Sequence, residues 1–387
     1  MTAVSETTSQ WLEQFTTQAV ADRGLQELRD AGLRRFLEIG FPTTHEEEWR
    51  FTNVSPIART AFRPYTWEAK VHRPPGVERL SESDYQGWLA GGQNPFVALN
   101  TAFLRDFVML RVPRGAVIEE PIKIFTCQEA QVPSVIHPRT VVVVGAHAQC
   151  TIIETYVGKG TYFTNAVTEI VAGEGAVVDH YKVQQEAAGA FHIATMQATL
   201  GRSANFSSLS ISLGGALVRN DVNTTLAEGT EATINGLYIA DGRQHIDNHT
   251  QIDHAKPHGT SHELYKGILD GKATAVFNGR ILVRKDAQKT DSKQTNKNLV
   301  LSDEAVIDTK PELQIFADDV RCTHGATIGQ LDAEALFYLQ SRGVGKKEAR
   351  ELLTYAFAQD LIDRVKVQSL KERLETVLYE KFHEHGG

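Results

Sequence analysis

The sequence predicts a mainly β protein, a parallel β-helix built from coils of about 28 residues and set between N-terminal and C-terminal helical regions. Three observations predict it. From about residue 96 the spacing of apolar residues changes from helical to a β-branched alternation. Within that stretch the tetrapeptides beginning at Gly145, Gly173, Gly201 and Gly229 all read G-x-x-A, each starting 28 residues after the one before. Every copy follows a strand-forming run, such as "TVVVV" or "VTEIVA", and precedes another, such as "CTIIETY" or "FSSLSISL". The glycine is expected to supply a corner conformation closed to residues with a Cβ, and the alanine to turn inward there. Looser echoes lie at Arg114-Gly115-Ala116 and between Ser302 and Ala305. Leucine-rich repeats have a similar period, but the L-x-x-L-x-L signature is missing.

Residues 1–95 form the N-terminal helical region and its connector. Apolar residues at Trp11, Leu12 and Phe15, then at Leu25, Leu28, Leu33, Phe36 and Leu37, approximate helical spacing, and Gly40 and Pro42 stop it. Thr44 and Glu47 are placed as a capping box for a short acidic helix from His45. Pro64, Pro74, Pro75, Gly91 and Gly92 mark a connector. Residues 96–325 form the β-helix core. In the C-terminal helical region, 326–387, Asp332 is the expected N-cap of "AEALFYLQSR", which Gly343 closes. Ala349, Leu352, Leu353, Ala356, Phe357 and Leu361 make a one-sided stripe. Ser369 and Glu372 form a capping box ahead of Leu370, Leu374, Val377, Leu378 and Phe382. Such a hairpin can cap the solenoid's open end, dock a partner, or do both.

A net charge of -8 argues against nucleic acid or a membrane surface as partner, since both call for a basic footprint. The densest basic stretch, residues 284–297, is broken by Asp286 and Asp291 and reads as a solvated loop. No run approaches 18 apolar residues, and the first residues lack a basic segment followed by an apolar one, so neither a bilayer span nor a secretory signal is expected. Cys127, Cys150 and Cys322 are few, odd in number and widely spaced, which suits a reducing cytoplasm and gives no disulfide framework.

Three groups of residues carry candidate chemistry. In "FADDVRCTHGATIG" an extended backbone would put Asp318, Val320, Cys322 and His324 on one face. Cys322 and His324 can then reach one metal or cluster, although two ligands are too few for a structural zinc site. A Cys–His nucleophile pair would lack an orienting group. The plain alternative is a last coil with a buried cysteine and a hydrogen-bonded histidine. The second group is His245, His249, His254, His258 and His262, a basis for a standalone metal-binding protein. On a strand, His245, Asp247, His249, Gln251 and Asp253 would instead line one polar, solvent-facing side. The third is Glu154, Asp179 and Tyr181, which a β-helix carbohydrate-active enzyme would need at a defined separation. There is no P-loop and no G-x-S-x-G, so ATPase or esterase activity is not expected of this chain.

The stretch "FADDVRCTHGATIGQLDAEALFYLQSRGV" resembles the C-terminal signature of the SufB/SufD family, scaffold proteins of the SUF iron–sulfur cluster assembly system. "GFPTTHEEEWRFTNVSPI" (40–57), "VALNTAFLRDFVMLRVPRGAVIEEPI" (97–122) and "HIDNHTQIDHAKPHGTSHELYKGIL" (245–269) are similar to the same family, so the likeness covers most of the chain from about residue 40. In its length and its scarcity of cysteine it resembles the SufD branch. The resemblance implies a right-handed parallel β-helix and a non-catalytic, cytoplasmic scaffold subunit. It implies pairing with a SufB-like paralogue, and a SufC-type ABC ATPase docked on the C-terminal helices around Leu336, Phe337, Tyr338, Leu352, Tyr355 and Phe357. No cofactor would be held stably by this chain alone; an Fe–S cluster would be held transiently with the paralogue. Without the paralogue, the same exposed edge would serve a homodimer. Carried over by motif, His324 would face the paralogue's cysteine at the subunit interface, with Cys322 the weaker candidate and Thr323 standing where serine is common. His324 is also the first candidate metal ligand, well ahead of His245 and His249.

Overall fold

The computed structural model describes residues 23–65, 68–81, 94–105 and 107–384. Trp11, Leu12, Phe15, Gly91 and Gly92 lie outside them. The β-branched alternation forms two parallel sheets, and successive strands of the core alternate between them. The first sheet runs from Phe107–Val112 through Arg139–Val144, Tyr162–Ala172, Phe191–Leu200, Leu217–Leu226, His245–His254 and Thr274–Val283 to Val306–Ile315. The second runs from Ile122–Glu129 through Gln149–Lys159, Val177–Gln185, Asn205–Ser212, Glu231–Ala240, Thr260–Leu269 and Asp291–Val300 to Arg321–Gly329. Two sheets whose strands the chain visits in turn are the two sides of a solenoid, and their inward residues merge into one core from Val108 to Phe277.

The repeated corners do part of what their sequence predicts. Ala148, Ala176 and Ala204 are buried, and each N–H donates to the carbonyl of the glycine three residues before it. Those glycines serve by their small size rather than by a special φ. A Cβ at Gly145, Gly173 or Gly201 would lie 2.6, 2.7 or 2.9 Å from a backbone nitrogen of the coil beneath. The left-handed conformation falls two residues later, at His147 (φ 58), Gly175 (φ 63) and Ser203 (φ 56). The fourth copy is out of register. Ala227 donates to Leu200 O where Gly201 donates to Ala172 O. Gly229 (φ 64) therefore holds the left-handed position, and the buried Thr230 takes the inner corner. Coil length thus varies: 28 residues separate His180 from Ser208, 26 separate Asn205 from Glu231, and 31 separate Ser261 from Ser292.

Helices cover both outer faces. In the N-terminal region, α1 (Arg23–Ile39) ends at Gly40, whose φ of 69 and bond to Phe36 O make the expected stop. The capping box forms one residue early: Thr43 N–H donates to Glu46 Oε1, and His45 N–H to Thr43 Oγ1. Glu47 instead reaches Lys310 on the solenoid, and the acidic segment is a single 3-10 turn, Glu47–Trp49. With α2 (Ser55–Arg59) and α3 (Pro95–Ala102), it presses Phe36, Trp49, Ile57 and Phe96 onto Phe163, Ile193 and Leu217 of the first sheet.

At the other terminus, Asp332 caps α4 (Ala333–Ser341) by accepting from the N–H groups of Glu334 and Ala335, and Gly343 (φ 90) closes it. Then α5 (Lys346–Ile362) and α6 (Gln368–Glu384) lie on the second sheet, with Leu361, Ile362, Leu370, Leu374 and Leu378 against Tyr181, Leu209, Ile211 and Leu237. The stripe of α5 is rotated from the expected one: Ala349, Thr354, Ala358, Leu361 and Ile362 are buried, while Leu352 and Ala356 are exposed. Small residues on the sheet side let the helix sit close. Helix α6 starts at Gln368, so Ser369 lies in its first turn and is not its N-cap. The hairpin therefore covers a face of the solenoid and leaves the end open.

The two ends differ. Lys70–His72 and Glu78–Arg79 pair antiparallel onto Ile122–Glu129 and Phe107–Val112 and close the first coils. Among the described residues, Val306–Ile315 and Arg321–Gly329 are paired on one side only.

Two inward positions on neighbouring strands exchange bulk. Tyr265 lies over Gly236 and Tyr238 against Gly267, so that a Cβ at either glycine would collide with a buried ring. Replacing Gly267 by Ala overpacks a rigid interior, and we expect a loss of about 2 kcal/mol or more, read as a lower urea midpoint at unchanged far-UV circular dichroism.

Candidate functional site at the open end

The last strand hydrogen-bonds to Asp291–Val300 with Ser292 opposite Cys322 and Gln294 opposite His324. Paired residues of parallel strands point the same way, and Ser292 and Gln294 are buried inside the solenoid. Cys322 and His324 therefore stand on the inner side of the last coil, where no further coil covers them. His324 is exposed; Cys322 is half-buried against Ile281, Val283 and Ala317. Burial first, and the nearby Asp291 second, raise the Cys322 pKa, so the group is a thiol at neutral pH. The extended stretch begins only at Arg321, because Asp318 and Asp319 form a bend whose amide is held by Gln288. Val320 still packs beside Cys322 against Ile281, Val283 and Ala317, whereas Asp318 lies exposed in the bend. Around this opening Val306, Ile315, Phe316 and Ile328 are exposed, an apolar rim on two unpaired edges.

The other histidines are scattered. His245 and His249 lie on the outer side of the first sheet, as their alternation predicts, but the N-terminal region covers them instead of solvent. Thr52 Oγ1 lies 2.8 Å from His245 Nε2 and donates to Asp247 Oδ2 at 2.6 Å. His249 is wedged between Asp247 (3.0 Å) and Glu48 (3.4 Å). His254 points inward and contacts Ser261 Oγ at 2.9 Å, while His258 and His262 are exposed. Among the described residues no three His, Cys, Asp or Glu side chains are grouped to hold a metal ion. Arg219 completes the clamp, pairing with Asp221 and Asp247 and stacking 3.7 Å over the Trp49 ring.

The carboxylates that a sugar-cleaving site would need are separated by the sheet itself. Glu154 is sealed inside, touching Thr168 at 2.9 Å and His180 at 3.1 Å. Asp179 is outside, paired with Lys366 at 2.7 Å, and the Tyr181 hydroxyl accepts from Lys366 N–H under the helices. They cannot share a substrate.

Of the six C-terminal residues singled out, Phe337, Tyr338 and Leu352 are exposed, Leu336 is half-buried, and Tyr355 and Phe357 pack against the second sheet. Sequence reasoning missed Tyr379, which is also exposed, and the buried pair Glu263 and Gln294 beneath His324.

Comparison of the sequence with known proteins gives a family for this parallel β-helix. The description "SUF system FeS cluster assembly, SufBD core domain" matches residues 125–357, more than half of the chain. An iron–sulfur cluster assembly SufBD family protein of Synechocystis sp. is 40% identical over 309 residues, 77% of this chain and 68% of its own length. Iron–sulfur cluster assembly protein SufD of Escherichia coli is 29% identical over 378 residues, 88% of this chain and 89% of its own. SufD of Bacillus subtilis is 26% identical over 295 residues, 75% and 67% of the two chains. The chain belongs to the SufBD family, and within it to the SufD type. Its role is in SUF iron–sulfur cluster assembly.

The His249 wedge has a pH signature. Burial opposes its charge, but Asp247 and Glu48 outweigh it and raise the pKa, while Glu48 is held down at about 2. A folded-state value above the unfolded one gives stabilisation that is complete below about pH 6.5 and lost as pH rises through the folded value. The thermal midpoint is expected to fall above that pH more steeply in the wild type than in His249→Gln; parallel curves would assign the clamp no titrating role.

Proposed function

We propose that this chain is a non-catalytic scaffold subunit that joins a SufB-like paralogue through the open end of its β-helix and presents His324 to a cluster being assembled between them. The observation that supports this is the asymmetry of the solenoid. Among the described residues one end is closed by antiparallel strands, whereas the other exposes two strands paired on one side only, an apolar rim and an imidazole. An edge left this way is completed by another chain. The cluster is cargo here, held transiently at the junction; His324 is the side chain offered to it and the half-buried Cys322 is secondary. A second copy of this chain would meet the same edge when the paralogue is absent.

A SufC-type ABC ATPase would dock on the C-terminal helices. Phe337, Tyr338 and Leu352 are exposed there, and α4 buries none of its own residues. ATP-driven movement would then pass through α5 and α6, which are fastened to the second sheet by Lys266–Asp360 (2.6 Å) and Lys366–Asp179 (2.7 Å), to the junction. Three free cysteines suit a reducing compartment, and we place the complex in the cytoplasm. No described helix is long and apolar enough to cross a membrane.

His324→Ala removes an exposed side chain without touching the core, so folding and co-purification with the paralogue and the ATPase should persist while cluster assembly in cells is lost. Normal maturation of Fe–S enzymes in that variant would overturn the assignment of His324.

A further inference from the structure

We propose that Gln294 is the positioning residue of His324, holding its imidazole in one tautomer from the coil beneath, and that Glu263 fixes the Gln294 amide in turn; this deepens the reading of His324 given above and rests on it. The strand registers stack Ile152, His180, Ser208, Ile234, Glu263, Gln294 and His324 in one inward column. Ile152 and Ile234 show that the fold accepts an apolar residue at this position. A carboxyl and an amide buried in the last two coils below the opening therefore carry a desolvation cost that the fold does not require.

The two groups answer each other only in part. Gln294 Nε2 donates to Glu263 Oε2 at 2.6 Å. That bond commits the nitrogen end of the amide and leaves Gln294 Oε1, a buried acceptor, with no partner among the described residues. One strand further on, about 4.8 Å away, stands His324, whose exposed ring has no hydrogen bond among the described residues. Room for the amide is built in. Gly279 on the facing sheet has no Cβ, and one placed there would collide with Gln294 Nε2. Glu263 is pushed up to about 7 by burial, with Thr250 and Gln294 pulling the other way. Charged or neutral, it keeps an oxygen that accepts from Nε2, so the carbonyl end stays available.

An imidazole N–H that donates to a buried carbonyl fixes the tautomer and leaves the other nitrogen as an outward lone pair. Such a nitrogen, held at the mouth of the solenoid, is prepared to meet a metal-bearing cargo or a partner's acidic proton without first reorganising. The same arrangement explains why the polar column lies under His324.

The full-length chain labelled with 15N-histidine, with the ring signals of residue 324 assigned through His324→Ala, reads the tautomer directly at a pH where the ring is neutral. The wild type should favour one tautomer by about tenfold, the ratio an ordinary buried hydrogen bond sustains. Gln294→Met keeps the length and removes the acceptor, and should return the ratio to that of an unconstrained, solvent-exposed histidine ring, measured in the same buffer on a short histidine peptide. Glu263→Gln, which frees the amide to turn over, should move it the same way by less. Unchanged ring shifts in Gln294→Met, or averaged shifts in the wild type, overturn the proposal. The amide signals of Arg321–Gly329 are followed in the same samples. If Gln294→Met disorders that strand, Glu263→Gln with the strand intact decides, and a wild-type tautomer there counts against the proposal. No partner or cluster enters the measurement. A fixed tautomer in a protein whose His324→Ala variant still matures Fe–S enzymes would therefore defeat the functional reading and leave this one standing.

Discussion

In-register parallel pairing governs what every side chain of the core can do. Because each strand lies directly on the one beneath it, a residue inherits its direction from its partner, and the inner and outer faces persist through the whole stack. Backbone hydrogen bonds within each sheet satisfy the main chain of every coil except the outermost. The demand for a neighbour is thus concentrated at the ends. At the first end short antiparallel strands meet it from within the chain; at the last end no described strand meets it.

The same pairing explains how the interior tolerates polarity. Towards the G-x-x-A corners it is apolar, with Ala148, Ala176, Val178 and Phe206 in contact. Away from them it holds Glu154 with His180, Glu186 against His192 at 2.7 Å, and Lys182 donating to Asn220. Burial pushes Lys182 down and its acidic neighbours draw it only partly back, to about 8. Groups of this kind are costly to bury and survive only with partners at hand, which adjoining coils supply at fixed spacing. Outside, Arg219 under Trp49 and Arg139 against Glu169 do the same for the N-terminal region and α3.

Much of this was legible in the sequence. Regular corners, β-branched runs and helical stripes gave the architecture, and the alternation around His245 placed it on an outer face. The Asp332 cap, Gly40 and Gly343 behaved as their chemistry demands. Register was the part that could not be read. A fixed period of 28 matches Gly201 to Gly229, but the coil there has 26 residues and a later one has 31. Aligned at 28, Glu263 never falls under Gln294, so the column beneath His324 is invisible without coordinates. Likewise Thr43 and Glu46 displace Thr44 and Glu47 as a capping pair because Lys310, more than 250 positions away in sequence, draws Glu47 aside.

The proposal that the open end is a protein junction is tested most directly by amide hydrogen exchange along Val306–Ile315 and Arg321–Gly329, in the isolated chain and after addition of a SufB-like paralogue. The unpaired-edge amides should exchange fast in the isolated chain at low concentration and become protected when the paralogue is added, while the buried strands from Tyr162 to Leu226 stay unchanged. Edge amides that exchange equally fast in both samples, with protection appearing elsewhere, would contradict it.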